Sequence, residues 1–574
     1  MQPDPGGGGV ADSVTTGQLI TTLRSPQRGE WLSAYVFDSI RTAQRAMVDW
    51  NGVYSGRQGQ HHYVYLKYRT DEQSAVRFAV QLDTLLLIYH QELGSDGYLL
   101  DAGNEPTAAL VARYETALSR LTTVARSLLA LVPEQYRAYA MAEDGRLTVA
   151  QRVYGLTQFW TEVKYNFAYF DQVPEVDWDA KLLEYLPLVT APQSNTAYYR
   201  LLQRLCAELR DGHTNVYPPA AYYASLGTPG VRLVSVAGQY LVEDVDSTLV
   251  RQLPPGSEVV TVDGQPLAQY LADSIYPYIS AGSQHVLELT AAQELLLGTL
   301  GTSVAVGVRQ RPGGEVTELR LGRQSFHHPI HWTKPPPAAT PASFVLAAAG
   351  VGVLTINTFA DGSIVDTFQR YRAQIGQCEG LIIDLRQNGG GDSGNGYAIL
   401  PYFSPQPLLT SAWRTRESRA AYRAWGQYFG ALPNPPEGEF YEEAIRTYRE
   451  DNWYYGAPDT LPPADTVYDL PVAVLVSHRT ASAAEDFLVA ADAIPHWTFV
   501  GEASYGSTGQ PLTLNLPGSG AARVCTKRDT YADGRAFVGP GVQVDVAVEP
   551  TVEQYLRGED VVLERALELV RSRR

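Results

Sequence analysis

Four short runs of almost wholly apolar residues, Val351–Ile356, Gly380–Leu385, Val472–Val476 and Thr498–Gly501, constrain this chain more than any other feature. Each has the length of a strand, and none shows the polar alternation of a strand with one wet face. Strands of that kind are covered on both sides. Helical patterns at about Ser363–Ile375 and Ala483–Ala493 lie between them. Buried strands alternating with helices make a largely parallel α/β layer. Residues 346–574 therefore read as an α/β core.

That core leaves more than half of the 574 residues to account for, and single cores stop growing near ~250–300 residues. From 230 to 330 the pattern changes to short β-like runs, Tyr240–Val245, Glu258–Val262, Val304–Arg309 and Val316–Leu321, set off by Gly, Pro and Asp turns. This reads as a small β-rich module. A Pro- and Ala-rich linker, 331–345, joins it to the core. Residues 147–229 read as helical and dense in aromatics (Tyr154, Phe159, Trp160, Tyr165, Phe167, Tyr169 and Phe170), which at such spacing are core residues. Residues 1–146 read as an accessory domain, mainly helical, with its clearest apolar stripe over Ala108–Leu131 and a strand around His62–Tyr68.

Composition excludes several classes of function. Hydrophobic residues at 45% against 19% charged are the balance of a folded chain. The net charge of -17, with no basic stripe, argues against nucleic-acid binding. Cys206, Cys378 and Cys525 form neither a disulfide framework nor a metal-ligand spacing, and read as small buried hydrophobes. No apolar run is long enough to span a membrane. The Gly- and Pro-rich start, Met1–Ser13, lacks the features of a signal peptide, which leaves both cytoplasm and export open.

Two turns carry the chemistry. In Pro471–Val489 a buried strand runs through a short turn into a helix that begins at or just after Ser482. A hydroxyl there faces the free amides of a first helical turn, the preformed donors that a developing oxyanion needs. The same serine is also a plain N-cap, with Glu485 three residues on completing a capping box, and the two roles are compatible. The second turn ends the strand Leu381–Leu385 in Gly389, Gly390 and Gly391, where a backbone can approach a ligand and turn its amides inward. A phosphate loop would continue into Gly-Lys-Ser/Thr, which is absent. An acyl oxyanion hole, built from the amides of Ala483 and of Gly389 or Gly390, fits better. The segment Leu209-Arg-Asp-Gly-His213 ends a helix, with Gly212 as its stop and His213 on the turn.

Asp384-Leu-Arg-Gln-Asn-Gly-Gly-Gly391, Thr480-Ala-Ser482-Ala-Ala-Glu485 and Val500-Gly-Glu-Ala-Ser-Tyr-Gly-Ser507-Thr-Gly-Gln together resemble the C-terminal processing (tail-specific) serine peptidases, in their tricorn-core and interphotoreceptor retinoid-binding branch. The resemblance runs from about Leu147 to the C-terminus. It implies a crotonase-like α/β peptidase core, a PDZ-like identity for the 230–330 module, no metal or organic cofactor, and an extracytoplasmic or periplasmic setting. It also implies a polypeptide substrate, held in part through its C-terminus. Where the lysine-dependent branch has its base, this chain has Ser507, so a Ser-Lys dyad is excluded. The tricorn-like branch uses an upstream histidine, and the match selects His213 among ten.

The expected reaction is endopeptidase action through an acyl-enzyme on Ser482, with His213 as general base. For the group that orients the imidazole, Glu485 is the candidate, with Asp529 and Asp533 as alternatives. His478 reads as structural tuning, His496 as a helix end, and the cluster His327, His328 and His331 as a poor metal site, because Pro329 breaks any helix there. Two rivals stand beside the hydrolase. One is a non-catalytic protein that binds apolar ligands or peptides on the same fold. The other is acyl-CoA chemistry, for which no nucleotide site is visible.

Overall fold

The computed structural model describes residues 146–572, apart from 312, 327, 335–339 and 348–349, together with the strands between 50 and 98. The chain divides into two units, Met1–Gln151 and Arg152–Arg574.

In the first unit the described residues form one antiparallel sheet in chain order: β1 Trp50–Gln58, β2 His61–Arg69, β3 Ser74–Gln81, β4 Leu86–Leu93 and β5 Gly97–Tyr98. The strand expected around His62–Tyr68 is β2. The mainly helical character expected for 1–146 does not hold over β1–β5, whose Tyr, Val and Phe content suits a pleated sheet. The stripe Ala108–Leu131 lies outside the described residues.

The second unit opens with helices α1 Val149–Asn166, α2 Trp178–Thr190 and α3 Asn195–Ala207. Asp177 caps α2 by accepting from Ala180 N at 2.9 Å, and Ser194 caps α3 by accepting from Ala197 N at 3.1 Å. Tyr198, Tyr199, Leu202, Leu205 and Cys206 form the buried stripe of α3. Of the aromatics expected in the core, Phe159, Phe167 and Tyr169 are fully buried, but Tyr154 is exposed. Strand β6 Asn215–Tyr217 follows.

Strands β7 Val231–Val236, β8 Gln239–Val245, β9 Glu258–Val262, β10 Ser303–Arg309 and β11 Val316–Gly322 then build a sheet in the order β11-β10-β9-β8-β7, with helix α4 Gln284–Glu294 inserted between β9 and β10. Val242, Val259, Val304, Val306 and Val308 of its strands close a core with Ala291 and Leu295.

The third sheet contains the four apolar runs. Strands β12 Ala342–Leu346, β13 Val351–Ile356, β14 Gly380–Asp384, β17 Val472–Val476, β18 Trp497–Gly501 and β22 Val546–Ala547 lie in that spatial order. All neighbours are parallel except β12 and β13. Helix α5 Ser363–Ile375 connects β13 to β14, and the turn that carries Ser482 leads from β17 into α8 Ala483–Ala491. The long excursion between β14 and β17 holds β15 Ala412–Arg416, helices α6 Ala420–Gly430 and α7 Glu439–Tyr448, and β16 Trp453–Gly456. After β18 come β19 Pro511–Leu516, β20 Gly520–Cys525 and β21 Lys527–Thr530, and the chain ends in α9 Val561–Ser572. Strand β20 lies between β19 and β6, and β15 lies between β16 and β21.

Helix α9 packs Val562, Ala566 and Val570 on Val351, Ile382, Ala473, Leu475 and Val500. The alternate residues Leu381, Ile383 and Val474 face the other way and are equally buried. Both faces are therefore covered, as continuous apolarity requires. At the strand ends, Arg386 bridges Asp384 (2.7 Å) and Asp560 (2.7 Å), fixing the turn after β14 to the start of α9. Cys206 and Cys525 are buried, whereas Cys378 is half-buried. Among the described residues no helix is long and apolar enough to cross a membrane.

Helix α8 is buried at every position, and its Phe487 ring lies 5.6 Å from Phe359 and 5.9 Å from Trp497. Truncation leaves a cavity that rigid strands cannot close. Phe487→Ala is expected to lower unfolding free energy by about 3–5 kcal/mol, read from the shift of a urea unfolding curve.

Candidate active site

The site forms where three turns meet at the ends of the parallel strands. The first is the strand-to-helix turn 477–482. Thr480 Oγ1 donates to Leu385 O (3.0 Å), Ser477 Oγ donates to Arg386 O (2.8 Å), and Ala481 N donates to Asn388 O (3.1 Å). These bonds lock it to the second, glycine-rich turn. Ser482 sits at the apex with φ 56° and ψ -123°, a left-handed conformation costly for a residue with a Cβ. The surrounding bonds hold it there and leave the hydroxyl projecting from the helix start.

Gly390 and Gly391 have φ +100° and +139°. A Cβ on Gly390 would lie 2.7 Å from Ser482 Cβ and 3.0 Å from Ala483 N, so only glycine lets this backbone lie against the Ser482 turn. The expected donors divide here. Gly390 N already donates to Asn388 Oδ1 at 3.0 Å, which corrects its assignment as a free oxyanion donor. Ala483 N and Gly389 N have no acceptor among the described residues, and Gly389 and Gly391 line the cavity beside Ser482.

The third turn carries His213. Gly212 does not end the helix by a left-handed twist; that residue is Arg210, with φ 48°. Gly212 is needed for space, since a Cβ there would come within 2.6 Å of Tyr505 and 3.0 Å of Ser507. Arg523 secures the turn by donating to Gly212 O (3.0 Å) and Asn215 Oδ1 (2.8 Å).

Residues 269 positions apart thereby meet: His213 Nε2 lies 3.2 Å from Ser482 Oγ. On its other side His213 Nδ1 lies 2.6 Å from Ser507 Oγ, and the Ser507 hydroxyl donates to Asp211 Oδ1 at 3.4 Å. Thr214 Oγ1 holds the second Asp211 oxygen at 2.6 Å. With Ser507 donating to the carboxylate, its oxygen accepts from Nδ1–H, which leaves the Nε2 lone pair facing Ser482. Burial, reinforced by the charge of Arg523, pushes the imidazole down to about 4, so it is neutral near pH 7 and able to accept a proton. Burial also raises the Asp211 carboxyl, against its hydrogen bonds to Thr214 and the His213 amide.

Glu485 does not reach the imidazole. Its fully buried carboxylate accepts from Ser504 Oγ (2.5 Å), Gly506 N (2.7 Å), Ser507 N (3.0 Å) and Ser482 N (3.1 Å). It thus completes its half of the expected capping box and also ties the nucleophile turn to the loop that carries Ser507. Burial pushes it up to about 8, while the four donors favour the anion. Asp529 pairs instead with Lys527 (2.8 Å), and Asp533 with Arg535 (2.8 Å). The sequence reading therefore missed Asp211 and Ser507 as neighbours of the histidine, although both stand inside the segments it quoted.

The remaining histidines are elsewhere. His478 Nδ1 lies 2.8 Å from Ala503 O, and its ring stacks on His285 at 4.1 Å. His331 N donates to Asp246 Oδ2, and His327 lies outside the described residues. No cluster of three or more metal-binding side chains occurs among the described residues. A cavity of about 570 Å³ opens over Ser482 and His213, with Leu289 of α4 and Arg479 in its walls.

Residues 350–548 match the family model described as peptidase family S41. Among solved structures, mature CPAF complexed with lactacystin is similar at 14% identity, covering 74% of this chain and 99% of that chain, with a TM-score of 0.56. A second structure of mature CPAF gives 15% identity, 74% and 98% coverage, and a TM-score of 0.56. At these identities the likeness is one of fold.

The strain at Ser482 has a measurable consequence. Glycine adopts φ 56° without cost, whereas alanine does not. Ser482→Gly is expected to be more stable than Ser482→Ala by about 1–2 kcal/mol, read from paired denaturant curves.

Proposed function

We propose that this chain, a member of peptidase family S41 through residues 350–548, is a serine-type endopeptidase. The observation that carries the reading is the 3.2 Å contact between Ser482 Oγ and a buried, neutral His213. The same contact favours hydrolysis over a non-catalytic binding protein on this fold, which has no use for a base beside a strained serine.

In this mechanism His213 Nε2 takes the Ser482 proton as Oγ attacks the scissile carbonyl. The resulting oxyanion is held by Ala483 N and the free amide of Gly389, preformed donors that cost no reorganisation. His213 then passes its proton to the leaving amine, which departs and leaves the acyl group on Ser482. A water deprotonated by His213 next attacks the ester and releases the acid. Asp211 and Ser507 are positioning residues, fixing the tautomer and balancing the imidazolium that forms in each half-reaction. The steps need no metal or organic cofactor.

The remaining assignments belong to the same proposal. The α/β sheet with its α8 turn is the crotonase-like core (346–574), 147–229 carries the base, and 230–330 is a PDZ-like module that receives an extended peptide as an added strand. Leu289 in the cavity wall and the bond from Ser280 Oγ to Asp211 O (2.8 Å) put that module in contact with the site.

Ser482→Ala and His213→Ala are each expected to lower kcat/KM on an unstructured polypeptide by at least about a thousandfold. Ser507→Ala and Asp211→Asn are expected to lower kcat by about ten- to a hundredfold with KM nearly unchanged. Full activity of Ser482→Ala would reject the mechanism.

Protonated His213 cannot act as base, so activity is present above its pKa and lost as pH falls through it. The acid limb of kcat/KM is expected near pH 4 rather than near the usual 6.5 of histidine. A limb at 6.5 in a pH–rate profile would show that the imidazole is solvated in the working enzyme.

A further inference from the structure

The cavity over Ser482 and His213 carries charge of one sign. Two guanidinium groups, those of Arg479 and Arg523, line it, and among the described residues no carboxylate does. The rest of the lining, including Leu289, Gln510, Pro511 and several glycines, is uncharged. Burial keeps His213 and Tyr505 neutral as well.

The acids of the surrounding structure are engaged outside this lining. Asp211 accepts from Thr214 Oγ1 (2.6 Å) and Ser507 Oγ (3.4 Å), behind the imidazole. Glu485 is closed by its donors from the Ser482 turn and the facing loop. Glu502 lies 3.7 Å from His478 Nε2; it feels the charge of Arg479 through space, but no ion pair joins the two.

The two arginines differ in what they have left to offer. Arg523 is committed to holding the His213 turn, with Nε on Asn215 Oδ1 (2.8 Å), Nη2 on Gly212 O (3.0 Å) and its guanidinium over the Tyr217 ring at 5.7 Å. Arg479 is tethered through one neutral contact, Nη1 to Gln387 Oε1 at 3.1 Å, and no carboxylate among the described residues pairs with it. Its backbone is fixed all the same. Arg479 N donates to Ser477 Oγ (3.1 Å), which donates to Arg386 O (2.8 Å). A guanidinium on a fixed root, with donors unfilled, matches the planar fork of a carboxylate. The side chain is half-buried, so its charge is less screened than one on open surface.

Arg479 also stands close to the bond that would be cut. It precedes Ser482 by three positions on the same turn, a span of at most about 10 Å. An extended peptide advances about 3.3 Å per residue. Substrate side chains within two or three positions of the scissile bond are therefore within its reach.

We propose that Arg479 is a specificity-determining residue that selects an acidic side chain, Asp or Glu, beside the scissile bond. This rests on the peptidase reading and names the class of substrate for it. Arg523 strengthens the field without making the contact. Both cations oppose a basic residue in the same place, so the order of preference is acidic, then neutral, then basic.

The test uses the full-length chain and two labelled peptides, acetylated and amidated at their ends, identical except for Glu or Gln at every third position. Side-chain charge is then the difference between them. In Ser482→Ala, where cleavage cannot interfere, fluorescence anisotropy is expected to show the Glu peptide bound about tenfold more tightly, by a margin that narrows with added salt. Arg479→Gln is expected to bring the two affinities together. Arg479→Lys, which keeps the charge, is expected to restore part of the difference. A merely structural role would weaken both peptides alike and leave their ratio unchanged. Equal affinities in Ser482→Ala, or a ratio that survives Arg479→Gln, overturns the proposal. So does a preference seen only with free C-terminal carboxylates, which would place recognition at the chain end. With Ser482 restored, the same preference is expected in kcat/KM, chiefly through KM. A chain that binds with this preference but cleaves neither peptide refutes the peptidase reading and leaves charge selection standing. Cleavage of both peptides at equal kcat/KM does the reverse.

Discussion

The buried carboxyl group of Glu485 is the interaction on which the site depends. It collects donors from the nucleophile turn (Ser482 N) and from the facing loop (Ser504 Oγ, Gly506 N and Ser507 N). A buried polar group is costly unless its hydrogen-bonding atoms are paired. Here pairing them is what brings the two loops together. Ser482 and Ser507 lie on either side of this knot, and Ser482 N also donates to Ser507 O at 3.1 Å. The strain at Ser482 and the placement of Ser507 beside the imidazole are therefore two results of one anchoring group.

Desolvation decides the protonation state of His213. His213 is nearly enclosed, and the Arg523 guanidinium beside its turn opposes a second positive charge. Both effects favour the neutral ring. In the proposed mechanism Asp211 offsets them once an imidazolium forms, which the carboxylate behind Ser507 can stabilise. The β-rich module takes part in this burial, because Ser280 holds the backbone of Asp211 and His285 Nε2 lies 3.0 Å from Ser504 O. Movement of that module would change how well water is excluded from the base.

Much of the core was legible because its signals are local. Strands at Val351–Ile356, Gly380–Asp384 and Val472–Val476, and a helix beginning after Ser482, follow from apolar runs and turn residues read in order. The two glycines at φ +100° and +139° were also marked by composition alone. Pairing across the chain was not legible in this way. Ser507 and Asp211 are 296 positions apart, and nothing in their own neighbourhoods says that they meet. Glu485 was chosen as orienter because it stands near Ser482 in sequence, yet the helix turns it away from the imidazole toward Ser504. Gly212 was read as a helix stop, whereas steric room for Tyr505 and Ser507 explains it better. The strands between 50 and 98 were largely missed, since outside His62–Tyr68 their alternation is weak.

The central claim is that Ser482 is a nucleophile activated by His213. The most direct measurement is reaction with a fluorophosphonate, followed by mass-spectrometric mapping of the adduct and of its rate against pH. The account predicts one adduct, on Ser482, formed rapidly at pH 7 and slowly in His213→Ala. An unlabelled folded chain, or an adduct on another serine, would contradict it and leave ligand binding on a peptidase fold as the better explanation.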